Sequence, residues 1–164
     1  MICTEVWAGQ GLGNQLHAYI MARVLAMDLN VPFGVAGKTK FKGNHIFDLD
    51  FGLDVIGGET FNEGEKPQTL PIGIEHYFVE ERVNSENGID IRGYDKRIKD
   101  IKDNTKIEGL WQGEEYFEHH KDRINRWLAV ESLEMHDRLC IINFRGGEYK
   151  YFPDLYLTQS YWDE

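Results

Sequence analysis

The stretch Trp7-Ala-Gly-Gln-Gly-Leu-Gly-Asn-Gln-Leu-His-Ala-Tyr19 decides the fold. A short apolar run, Ile2 to Trp7, breaks into three alternating glycines and restarts as an apolar-periodic segment, which reads as strand, tight turn and helix. Gly9, Gly11 and Gly13 remove Cβ from the turn, so its backbone is free to take positive φ and approach a ligand closely. A helix starting near Asn14 aims its unpaired N–H groups and positive dipole end at the same point, which favours an anion such as a phosphate. The dinucleotide fingerprint wants its third glycine where Asn14 stands. A P-loop is excluded, because Asn14-Gln15 offers neither the lysine for phosphate nor the hydroxyl for magnesium. The bland alternative is a glycine turn that only lets the first strand pack closely on the first helix.

Outward from this turn, Gln15 to Leu29 reads as a helix with Leu16, Ile20, Val24 and Met27 on its buried face, and Pro32 to Ala36 as a second strand. Lys38 to Gly43 is a basic loop. From Asn44 to Gly93 the signals mix, and loops with short strands such as Thr69 to Ile74 and Tyr77 to Val83 are expected. Lys106 to Trp111 then reads as a strand, Glu114 to Ala129 as a helix carrying Phe117, Ile124 and Leu128 on one face, and Leu139 to Phe144 as a strand. Strands alternating with helices argue for an α/β fold, an open Rossmann-like parallel sheet with flanking helices, whose ligands bind outside the carboxyl ends of the strands.

Composition narrows the function classes. The 164 residues are 41% apolar and 13% aromatic, enough for one ordinary domain with a real core. Eighteen basic residues against 28 acidic leave a net charge of −10 without basic clustering, so nucleic acid is a poor partner. The longest apolar run is far short of a membrane span and Met1 leads straight into a strand without a basic leader, so a cytoplasmic chain is expected. Cys3 and Cys140 both sit in apolar runs and read as reduced core residues. No pair of His, Asp or Cys residues has metal-ligand spacing, and His119-His120 read as part of a solvated helix face.

A second chemical cluster follows the last strand, Ile141-Ile-Asn-Phe-Arg-Gly-Gly-Glu-Tyr149. Arg145 offers a fork of donors matched to a diphosphate, and Gly146-Gly147 turn the backbone away so that nothing shields the guanidinium. Its bland alternative is a surface ion pair with Glu148 or Asp154.

Together these loops resemble the bacterial and viral α-1,2-fucosyltransferase family. Gly11-Leu-Gly-Asn-Gln15, followed by a helix with Tyr19 and Ala22-Arg23, is similar to that family's Gly-Gly-Leu-Gly-Asn-Gln opening. Gly109-Leu-Trp-Gln-Gly-Glu-Glu-Tyr-Phe117 resembles its Gly-Tyr-Trp-Gln-Ser-x-x-Tyr-Phe stretch. Asn143-Phe-Arg-Gly-Gly-Glu-Tyr149 falls where the family carries His-x-Arg-Arg-Gly-Asp-Tyr. The resemblance implies an inverting, metal-independent transfer of fucose from GDP-fucose to a sugar hydroxyl, on the amino-terminal half of a GT-B type architecture. Residues 1–138 are then the acceptor-side domain and 139–164 the start of a donor-binding region that looks truncated.

Carried over by position, Arg145 holds the donor diphosphate and neutralises the leaving group, and Asn14 faces the donor. Gly11, Gly13, Gln15 and Gly147 complete the donor-binding set, Arg145 and Glu148 the catalytic set, with no metal and no cofactor beyond the donor. Asn143, Gly146 and Glu148 depart from the family's histidine, second arginine and aspartate, which weakens or alters nucleotide-sugar binding. Glu148, His17 and Glu75 are the candidates for the general base that deprotonates the acceptor hydroxyl. Arg145→Ala is expected to abolish donor turnover.

Two rival readings belong to other classes. A nicotinamide-dependent reductase would use Gly9 to Gly13, but the acidic ribose ligand expected after the second strand is replaced by Gly37-Lys38. A non-catalytic glycan-binding domain would stack sugars on Trp111, Tyr116, Tyr149 and Tyr151.

Overall fold

The computed structural model describes residues 1–58, 69–81, 83–84, 90–91 and 93–131. The expected strand Leu139 to Phe144, the 139–164 segment and the whole Arg145 cluster, with Gly147 and Glu148, lie outside the described residues. By its contacts the chain divides into Met1–Val130 and Glu131–Glu164, and the architecture below is that of the first unit.

The unit is an α/β fold. Its strands β1 (Ile2–Glu5), β2 (Phe33–Ala36), β3 (His76–Val79) and β6 (Thr105–Glu108) form one sheet in the order β2-β1-β6-β3. All three pairings are parallel. Two short strands, β4 (Val83–Asn84) and β5 (Asp90–Ile91), pair antiparallel as a separate ribbon. The helices are α1 (Leu12–Asp28) and α2 (Lys121–Trp127), and single 3₁₀ turns cover Lys38–Lys40, Lys96–Asp100, Glu114–Tyr116 and Glu118–His120.

Side-chain alternation along the strands gives the sheet two different faces. Ile2 and Thr4 of β1 share a face with Val35 and Ile107 by register, and this face joins the two clusters built on α1. The opposite face is polar. Cys3 and Glu5 share it with Lys106, Glu108 and Tyr77, and Lys106 Nζ donates to Glu5 Oε2 and to the Gly58 carbonyl, both at 2.8 Å. The Tyr77 hydroxyl donates to Glu108 on that face as well.

Helix α1 is buried on more sides than the sequence pattern predicts. Nine residues from Gln15 to Ala26 are buried, while Leu16 and Met27 of the expected face are only half-buried. Met21, Ala22 and Leu25 cluster with Ile98, Ile101, Trp111 and Tyr116, and Tyr19, Ile20 and Val24 with Val35 and Phe41. Phe117, Ile124, Trp127 and Leu128 cover the second cluster from outside. No side chain caps the amino end of α1. A missing cap costs about 1 kcal/mol, whereas each buried large aliphatic contributes about 1.5–3 kcal/mol, so tertiary packing holds this helix.

Four elements differ from expectation, the first being Tyr77 to Val83, whose strand ends at Val79 while Val83 belongs to the separate ribbon. The strand after Lys106 stops at Glu108, because Trp111 turns into the core with φ +52°. Thr69 to Ile74 is not a strand: Gly73 takes φ +81° there. The helix expected over Glu114 to Ala129 is two 3₁₀ turns followed by the seven-residue α2, broken at Phe117, whose φ is −126°.

Candidate active-site loop

The chain leaves the carboxyl end of β1 for β2 on one side, and β6 and β3 are added on the other. That change of direction lies between β1 and β6, and open α/β sheets bind their ligands outside the carboxyl ends of the strands at such a point. The glycine loop and the Gly109–Phe117 segment both start from this edge.

The loop is closed at its base by one side-chain and one backbone hydrogen bond. Trp7 N donates to Gln10 Oε1 at 3.0 Å and Gln10 N returns to the Trp7 carbonyl at 3.2 Å, closing the turn. Gln15 is fully buried beneath it. Its Nε2 donates to the Trp7 and Lys40 carbonyls (2.6 and 3.0 Å), and its Oε1 accepts from Lys42 N at 2.8 Å. Of the sequence-predicted donor set, Gln15 therefore ties the loop to the Lys38–Lys40 turn and is not on its open side.

Gly9, Gly11 and Gly13 are exposed, and none has the positive φ that the sequence reading allowed. Gly11 sits in extended conformation at φ −65° and ψ 153°. A Cβ built at any of the three meets nothing within 4 Å among the described residues. The close strand–helix packing of the bland alternative is therefore not what these glycines provide. Contrast Gly37, at φ +73°, where a Cβ would stand 2.4 Å from the Val6 carbonyl. Helix α1 begins at Leu12, two residues earlier than expected, so Gly13 and Asn14 lie in its first turn, which carries no acid and no side-chain cap.

Asn14 meets the second segment. Gln112 Nε2 donates to Asn14 Oδ1 at 3.3 Å, joining residues 98 positions apart. The turn that presents Gln112 is held by Glu80, the residue after β3, whose carboxylate is 2% exposed. Glu80 Oε2 accepts from Leu110 N at 2.7 Å and Trp111 N at 3.1 Å, and Oε1 lies 3.2 Å from the Tyr116 hydroxyl. That hydroxyl also accepts from Asp95 N at 2.7 Å. Burial, with the neighbouring Glu80 charge, pushes the Tyr116 pKa well up. Gly109 has no room for a side chain, since its Cβ would stand 2.6 Å from Glu80 Cβ. Sequence reasoning missed Glu80, the first of the acidic pair Glu80-Glu81 that closes the apolar run Tyr77-Phe-Val, where no local pattern separates a buried acid from a solvated one.

His17 lies one turn after Asn14, on the same side of α1. Its ring stacks on Phe117 at 6.0 Å and 17°, lining a groove of 270 Å³ with Ile20, Glu114, Glu118, Lys121, Ile124 and Asn125. Burial lowers its pKa against the opposing pull of the Glu80 charge, so the imidazole is neutral near pH 7. Its Nδ1 is buried without a hydrogen-bond partner among the described residues. Glu75 is exposed just before the amino end of β3, on the edge of the sheet opposite the glycine loop, and is thereby removed as a base for chemistry there.

The rival readings fare differently on particular residues. Trp111 and Tyr116 are core side chains, 0% and 2% exposed, so neither offers a face for sugar stacking. Lys38, where a reductase would hold the ribose with an acid, pairs its Nζ with Asp54 at 2.8 Å.

Of the solvated helix face expected for His119-His120, the exposure of His119 holds, but His120 is half-buried and the backbone is not α-helical. Both histidines occupy a 3₁₀ turn and both rings point at Asp28, the last residue of α1. No helix among the described residues is long and apolar enough to cross a membrane. Comparison with known proteins finds no match, whether among family models, curated proteins or solved structures.

Proposed function

We propose that this chain carries the loop-bearing, amino-terminal α/β half of a GT-B type fucosyltransferase site, transferring fucose from GDP-fucose to a sugar hydroxyl. The observation that carries the reading is the meeting of Asn14 and Gln112 beside three glycines that neither φ nor packing against the described residues requires. Two of the three family-like segments thus share one edge of the sheet, and the described residues leave open the space a Cβ would fill at the three glycines.

In that reaction the leaving diphosphate gains charge as the sugar becomes oxocarbenium-like. Backbone N–H groups in the first turn of α1 supply fixed dipoles for that charge, at no reorganisation cost during the step. Arg145 adds the charge-assisted donor that the resemblance implies. His17 is the base candidate among the described residues, neutral and one turn from Asn14, and Glu148 is the other candidate.

Titration of the full chain with GDP and GDP-fucose tests the reading. Gly11→Val fills the open side of the loop at an extended φ and ψ that valine accepts, so the variant is expected to fold normally and lose about tenfold or more in donor affinity. A folded wild-type chain that binds neither nucleotide, or a Gly11→Val chain that binds as well as wild type, sinks it.

A further inference from the structure

Asp28 and the pair His119-His120 come from elements 91 residues apart in sequence. His119 Nε2 lies 2.9 Å from one carboxylate oxygen of Asp28, and His120 Nε2 lies 2.8 Å from the other. The two imidazoles lie 4.4 Å apart between centroids with their planes tilted by 45°, and the three ligand atoms fall within 4.8 Å of one another. His120 is 16% exposed and His119 51%, so one ring is seated while the other side of the cluster opens to water.

We propose that Asp28, His119 and His120 bind a divalent transition-metal ion of the zinc class. Two imidazole nitrogens and one carboxylate oxygen suit such ions, with water completing the shell on the exposed side. The hydrogen bonds pre-organise the ligands. With bonds of about 2.0–2.1 Å, a tetrahedral ion needs its donors about 3.3 Å apart. The two hydrogen-bonded spacings, each to its own Asp28 oxygen, widen by a few tenths of an ångström, and the rings turn to bring all three ligand atoms, now within 4.8 Å of one another, onto one ion. Exposed side chains achieve that by small rotations. Glu118 and Asp122 near the cluster favour a cation and Lys121, Arg123 and Arg126 oppose it, which places the burden of affinity on the three direct ligands.

The site is separate from the proposed sugar-transfer site and independent of it. Asp28 ends a helix of 17 residues, about 25 Å long, whose other end is the glycine loop. A metal here is a clip: it ties the carboxyl end of α1 to the Glu118–His120 turn that leads into α2, and stabilises the folded unit by mass action.

Calorimetric titration of the full, untagged chain with zinc chloride, followed by cobalt(II) absorption spectra, tests the assignment. The expected result is one ion per chain with micromolar or tighter affinity, four-coordinate cobalt bands and a raised melting temperature. Asp28→Asn, His119→Gln and His120→Gln are each expected to lose about tenfold or more in affinity, with His45→Ala unchanged. His119→Gln alters an exposed side chain and so keeps the test valid if Asp28→Asn fails to fold. Absence of zinc binding to the wild-type chain, showing a hydrogen-bonded clip only, overturns the proposal. So does binding that survives the double variant His119→Gln/His120→Gln.

Discussion

Glu80 Oε2 accepts the backbone N–H of Trp111 at 3.1 Å, a residue held at φ +52° with its indole fully buried. One carboxylate at the end of β3 thereby shapes the turn after β6 and, through it, the position of Gln112 beside Asn14. Removing it strands the N–H groups of Leu110 and Trp111 and takes an acceptor from Tyr116. Each stranded buried donor costs about 1–3 kcal/mol, so Glu80→Ala is expected to destabilise the unit by about 3 kcal/mol or more. Glu80→Gln keeps one acceptor oxygen and is expected to lose less. Urea unfolding of both variants checks the order, and equal losses would show that the carboxylate is not what holds the turn.

The glycines separate into two kinds by one experiment. Gly13→Ala places a methyl in open space within the first turn of α1, and is expected to raise stability by about 0.5–1 kcal/mol. Gly37→Ala meets the Val6 carbonyl at a positive φ, and is expected to cost about 1–2 kcal/mol or more. If Gly13→Ala destabilises as much as Gly37→Ala, the loop glycines are structural and the ligand space is lost as an argument.

How much of this was legible in the sequence depends on how far apart the partners lie. The run from Ile2 through the glycines to Ala36 was readable because strand alternation, turn and helix periodicity are all local there. The reading of Glu114 to Ala129 as one helix failed for a definite reason. The spacing of Phe117, Ile124 and Leu128 reports which side is covered, and these three do cover the α1 cluster, but it does not report the backbone bonding, which changes at Phe117. The Glu80 clamp and the Asp28–His119 contact join residues 31 and 91 positions apart, and no local pattern encodes such pairs. Gln15 was legible as a loop residue but not as an inward one, because the three backbone groups it satisfies come from Trp7, Lys40 and Lys42.

The pair Lys106–Glu5 is buried on both sides, each side chain 2% exposed. Such a pair gains little over an apolar replacement, yet breaking it leaves a charge in the interior. Lys106→Met is therefore expected to cost about 3–5 kcal/mol, part of it from the Gly58 carbonyl that Lys106 also satisfies. Lys106→Met combined with Glu5→Leu is expected to cost clearly less than the two single changes added together. A double-mutant cycle in urea reads this directly, and strict additivity would mean that the two charges are not coupled.

Cys3 gives the pH dependence. Burial pushes its thiol from 9.0 up to about 11, against the lowering pull of Lys106, so the folded state holds a proton that the unfolded chain releases earlier. The stability this provides is fully present below pH 9 and is lost as pH rises toward 11, at about 1.4 kcal/mol for each pH unit within that window. Tyr19, Tyr77 and Tyr116 are shifted upward as well and add loss of the same sign at higher pH. Cys3→Ala isolates the thiol: its stability profile between pH 9 and 11 is expected to be flatter than that of the wild type, whatever its absolute level. In the folded wild type, iodoacetamide at pH 8 is expected to leave Cys3 unmodified, with alkylation following unfolding in urea. Parallel profiles for the two proteins, or rapid alkylation of the folded chain, would show that the thiol reaches solvent and ionises as a free cysteine does.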